Sequence, residues 1–150
     1  MCWWNASSQN LNWLEAYQVV CEEWKIRESA EAFLEFTNTA DPTGLSPAEV
    51  SGFHAAAVLI DANHGWNPLE QWITFVAWRD TLEGAIAREP DSPNLRLIRF
   101  GVQTNAPLFL GYSGHKAQDH ARCTEAAREG YWKAYPEFQN FVLRTLNQGL

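Results

Sequence analysis

The chain has 150 residues, 46% of them apolar and 13% aromatic, with 8 tryptophans and a formal charge of −7. That length and apolar content suffice for a buried core without disulfides or a structural metal, and they exclude a disordered chain. The acidic balance and scattered Lys and Arg argue against nucleic acid or an anionic membrane surface as partner, and no apolar run approaches the ~20 residues of a membrane span.

Residues 1–9 read as a flexible lead-in. Ser7 and Ser8 offer N-cap chemistry for a helix over about 10–24, with Leu11, Leu14, Cys21 and Trp24 on one stripe and Trp13, Tyr17 and Val20 on another. A second helix covers about 28–38, and periodicity leaves open whether 10–38 is one bent helix or two. Asp41-Pro42-Thr43-Gly44 is a turn. Ser46-Pro47-Ala48-Glu49 is a capping box opening a helix to about residue 64, where Gly65 is expected to supply a left-handed cap. Asn67-Pro68 starts a helix over about 68–88 whose apolar positions form two arcs. Leu69, Trp72, Ile73 and Val76 make one; Phe75, Trp78, Leu82, Ala85 and Ile86 make the other. Two apolar sides predict packing on both, and so a central place.

The short connection at 89–94 predicts an antiparallel neighbour over about 93–104. That helix is apolar around most of its circumference, with Arg96, Arg99 and Gln103 as a narrow polar stripe. Asn105-Ala106-Pro107 ends it, and the apolar connector from Leu108 to Tyr112 is expected to be buried. A more polar helix over about 115–130 and a final one over about 137–147, facing inward through Phe138, Phe141, Val142 and Leu146, complete the pattern. No segment alternates with period two, so no strand is expected. The prediction is one all-α domain over 1–150: an irregular bundle of six or seven antiparallel helices. On this arrangement the corners His64–Pro68 and Gln103–Pro107 should lie near each other. They would either stabilise a shared turn-rich end, the favoured reading, or line a pocket beside His64 and Gln103.

The segment LEGAIAREPDSPN, with Ala85 and Pro90, resembles the close of a tetratricopeptide second helix. Trp78 stands where that pattern prefers alanine and there is no second copy of the repeat, so the resemblance implies a TPR-like central hairpin rather than a solenoid. Three further features are His64-Gly65-Trp66-Asn67-Pro68, the run from Arg96 to Pro107, and Leu110-Gly111-Tyr112. Through them residues 50–112 resemble a family of small uncharacterised bacterial helical proteins, mainly of Bacteroidetes type. The resemblance implies a helical fold and brings no reaction with it. Such proteins usually carry export signals, whereas MCWWNASSQN has neither a basic n-region nor an apolar h-region. As given, the chain reads as cytoplasmic; as a mature fragment, it would be exported.

Candidate chemistry is sparse. His54, Asp61 and His64 share a helix face, and His115 with Asp119 is an i,i+4 pair that would complete a site for a divalent transition metal if the helices met. Without HExxH or three-histidine spacing, a capping role for His64 and solvated His54 and His115 is favoured. Arg96, Arg99 and Gln103, with His64, Asn67 and Asn105 at the two corners, are the candidate ligand-binding residues, the guanidinium forks suiting a small anion. The favoured alternative pairs the arginines internally with Asp61, Asp80 or Glu83. Cys2, Cys21 and Cys123 show no metal or disulfide spacing and read as free thiols, and Cys123 beside His120 lacks an activating environment. Gly111–Gly114 is too poor in glycine for a phosphate loop. Tryptophans near the ends of the chain, with Tyr131 and Tyr135, either dock on the core or form an exposed contact surface. The leading expectation is a non-enzymatic helical domain acting through protein or peptide contacts, with no resident cofactor.

Overall fold

The computed structural model describes residues 8–107 and 110–148, the side chains of 8–11 excepted. Seven α-helices make up the described fold, with no strand: α1 Ser8–Glu22, α2 Arg27–Thr39, α3 Pro47–Ala62, α4 Pro68–Arg88, α5 Pro93–Asn105, α6 Lys116–Arg128 and α7 Pro136–Gln148. Residues 1–7 of the expected lead-in, and Leu108 and Phe109 of the connector, lie outside the described residues. Ser8 already belongs to α1, and a turn after Glu22 makes two helices of 10–38.

Three helices start by one device. Ser46, Asn67 and Ser92 each accept a backbone N–H through the side chain, from Glu49, Leu69 and Leu95 at 3.1, 3.0 and 3.3 Å. A proline follows each cap at the first helical position, where its missing N–H costs nothing. The end of α3 differs from expectation. Gly65 is not left-handed; the chain tightens instead, with the N–H groups of His64 and Gly65 donating to the Asp61 and Ala62 carbonyls at 3.0 Å. The left-handed cap occurs at Gly130 (φ 82°), which closes α6 with Gly130 N–H to Ala127 O and Tyr131 N–H to Ala126 O.

Packing follows a ring: α1 touches α2, α2 touches α3, α3 touches α5, α5 touches α6, α6 touches α7, and α7 returns to α1. Side-chain bonds fix the directions. Ser46 at the start of α3 bonds Glu89 at the end of α4, and Arg27 at the start of α2 bonds the His64 carbonyl beyond the end of α3. His120 early in α6 bonds the Leu146 carbonyl late in α7. Successive helices therefore run up and down, and α1, α3, α5 and α7 all finish at one end. Inside the ring, Tyr17 packs against Phe33, Phe53 and Phe141, and Trp13 against Phe36 and Phe53. Gly52 lets α3 approach α5 closely, since a Cβ there would overlap Leu95 Cδ2.

The expected central place of α4 is overturned. This helix stands outside the ring, laid mainly along α3, and buries only Leu82, Ala85 and Ile86. Its inner arc serves the core, whereas Leu69, Trp72 and Ile73 of its outer arc are each more than half exposed. The central helix is α5, buried from Asn94 to Phe100.

Candidate functional site

The polar stripe of α5 faces inward, towards α6. Asp119, fully buried in the first turn of α6, accepts Arg96 Nη1 at 3.0 Å, Arg99 Nε at 2.6 Å and Arg99 Nη2 at 2.9 Å. Arg99 Nη1 also donates to Glu83 at 2.8 Å, and Arg96 Nε to the Pro90 carbonyl at 2.8 Å. Burial works against the charged form of Arg99, but Asp119 and Glu83 outweigh it and hold its pKa above the ordinary value. The Tyr112 hydroxyl donates to Glu83, and burial together with that carboxylate pushes the phenol well above its usual range. Two arginines and two carboxylates balance, so the cluster is a neutral clasp joining α4, α5 and α6. Gln103 completes the stripe without joining the clasp: it is 5% exposed, and both its amide atoms are buried without a partner among the described residues.

The remaining predicted residues are placed apart. His54 Nδ1 bonds Thr37 Oγ1 at 3.0 Å and its ring meets Trp78, whereas His64 Nε2 bonds the Trp24 carbonyl at 3.0 Å. His115 is an exposed residue ahead of α6, and Asp119 belongs to the arginines. Among the described residues no three His, Cys, Asp or Glu side chains gather where they could hold a metal. Asn67 is the cap of α4, and Asn105 Nδ2 donates to the Gly101 carbonyl at 2.8 Å. Cys21 and Cys123 are free; burial pushes each thiol up to about 12, far from the activated range. Trp13 and Trp132 are docked on the core, with their indole N–H groups on the Asp41 carbonyl and Asn94 Oδ1.

Two further features stand out, one not singled out from the sequence as a site and one expected only as the less favoured reading of the two corners. One is the outer arc of α4: Leu69 is 63% exposed, Trp72 52% and Ile73 55%, with Trp66 at 90% just ahead of the helix. The periodicity that defined this arc was visible, but nothing local to the sequence said that no other helix would cover it. The second is a cleft of about 670 Å³ at the end of the bundle where the odd-numbered helices finish. The corners meet there: Ala62, Asn63, Pro68 and Gln71 line it from one side, and Thr104, Asn105, Ala106 and Pro107 from another. His64 and Gln103 are not among its lining residues. Its inner wall includes Tyr17, Leu97 and Phe141, and its lip carries the half-exposed Trp24 and Trp72.

No family model matches the chain, and no curated protein or solved structure matches it. No helix among the described residues is long and apolar enough to cross a membrane.

Proposed function

We propose that this chain is a non-enzymatic helical interaction domain that holds an amphipathic helix of a partner protein along the outer face of α4. The observation that carries the reading is the solvent-facing arc of Leu69, Trp72 and Ile73, extended by Trp66. Leaving such a contiguous apolar patch in water is costly, and patches of this kind mark contact surfaces. Trp, one of the commonest anchor residues at interfaces, is present twice. The stripe from Leu69 to Val76 rises ~10 Å, two helical turns, which suits a short helical segment. Glu70 beside the stripe, Asp80 one turn beyond it and the charge of −7 favour a partner whose polar flank is basic.

A designed Leu/Lys amphipathic peptide, followed by tryptophan fluorescence, tests this. Saturable binding with a blue shift is expected, weakened at least about tenfold by Ile73→Glu and absent for a Leu/Glu analogue of the peptide. Equal binding to wild-type and Ile73→Glu protein would refute the proposal. So would a dimer abolished by Ile73→Glu, because the face would then belong to a second copy of the chain.

A further inference from the structure

We infer that the cleft between the two corners is a binding site for a neutral, mostly apolar small molecule carrying one hydrogen-bonding group, of the kind represented by a medium-chain alcohol. Its volume, about 670 Å³, falls within the roughly 300–1,000 Å³ of small-molecule pockets. Its charge is the first guide to the occupant. Of the described lining residues only Glu22 and Arg144 are charged, and they pair with each other at 3.2 Å. The remaining wall is apolar or neutral, and the Cys21 thiol within it stays protonated because burial pushes its pKa up to about 12. An ionic ligand would have to compete with that exposed ion pair at the rim, and deeper in the cleft it would lie uncompensated against apolar surface, which costs far more than a neutral one.

The second guide is Thr104. Thr39, Thr81, Thr124 and Thr145 each return their hydroxyl to the carbonyl four residues back. Thr104 lines the cleft from α5, and its Oγ1 is shut off from solvent with no partner among the described residues. A buried hydroxyl left unpaired is destabilising, so a ligand that draws the Thr104 side chain round to meet it gains both the bond and the relief of that cost. Trp24 and Trp72 at the lip offer flat apolar faces to the body of such a molecule.

The site adjoins the outer face of α4 through Trp72, which belongs to both, whereas Leu69, Ile73 and Trp66 do not line it. Decan-1-ol is the probe, with decanoate and decylamine as charged comparators, read by thermal shift and tryptophan fluorescence. Decanol is expected to bind saturably at one molecule per chain, more tightly than either ion. Thr104→Val should weaken decanol about 3- to 10-fold, the worth of one hydrogen bond, while Thr104→Ser retains it. Ala106→Trp, which plugs the lip, should abolish binding while its ligand-free melting temperature stays close to that of wild type. Ile73→Glu should leave decanol binding unchanged, so that this site and the α4 face fail separately. Non-saturating binding of decanol, tighter binding of decanoate or decylamine, or equal affinity in Thr104→Val would each overturn the inference.

Discussion

Asp119→Asn is the most informative single change in this fold. The substitution keeps the shape but removes the charge, and it replaces one acceptor oxygen by an NH2 that would face guanidinium donors. Arg99, with 3% of its side chain exposed, and Arg96, with 10%, would be left buried against a neutral and partly repulsive group. Breaking a buried ion pair from one side costs about 3–5 kcal/mol, because the surviving charge cannot recover its hydration. At about 2–4 °C per kcal/mol for a chain of this size, the melting temperature should fall by about 6–20 °C. Urea denaturation at neutral pH measures the loss directly. The companion variant Asp119→Leu/Arg96→Met/Arg99→Met removes the three buried charges together, leaves Glu83, a third exposed, to water, and should recover most of the loss, since apolar replacements of buried charges are often neutral or stabilising. A loss below about 1 kcal/mol for Asp119→Asn would show that the clasp is hydrated and that its burial has been misjudged. A triple variant as unstable as the single would refute the desolvation argument itself.

Two further outcomes follow from polar groups that burial leaves poorly matched. Burial raises the pKa of Glu49, only partly offset by Asn94 Nδ2 at 3.2 Å and opposed further by Glu89. A carboxyl with a raised folded pKa binds its proton more tightly when folded, so it favours the fold below its unfolded pKa and loses that contribution as pH rises through the folded value. Glu49→Gln should therefore raise the melting temperature at pH 7–8 and flatten the fall in stability with rising pH above the ordinary carboxylate range. A parallel pH profile in wild type and variant would count against this. Gln103→Leu removes two unpartnered buried amide atoms and should stabilise by about 1–3 kcal/mol in urea denaturation, whereas a destabilised variant would mean the amide has a hydrogen-bonding partner.

Much of the helix framework was legible because its punctuation is local. Asn67-Pro68 and Ser46-Pro47 mark their helices' first residues by chemistry that needs no tertiary partner, and α4 begins and ends at the predicted 68 and 88. Internal pairing of the arginines could also be anticipated, since an otherwise apolar helix must match its buried polar groups. Glu83 was among the expected partners. Asp119 was not, because it lies on the most polar helix and was read with His115 as a metal pair. The usable signal was adjacency: α6 is the next helix after α5, and its first turn carries one acid. The place of α4 was misread for a physical reason. Two apolar arcs state that two surfaces seek burial, but periodicity does not say whether the second finds its cover within the same chain. The meeting of the two corners followed from alternating helix direction, while the space left between them depends on side-chain packing that no local pattern records.

The ring has one seam with a different character. Every other junction joins helices that are neighbours in the chain or one helix removed, whereas α1 meets α7 across the whole described chain, as Arg144 and Glu22 illustrate at 122 positions apart. Closing so long a loop is entropically the slowest part of assembly. Until α7 docks, Tyr17 and the rings stacked around it stay open on one side. A chain emerging from the ribosome thus holds an unsealed aromatic interior until nearly all its helices are made, which makes α7 the place where substitutions would be felt first as aggregation rather than as lost stability.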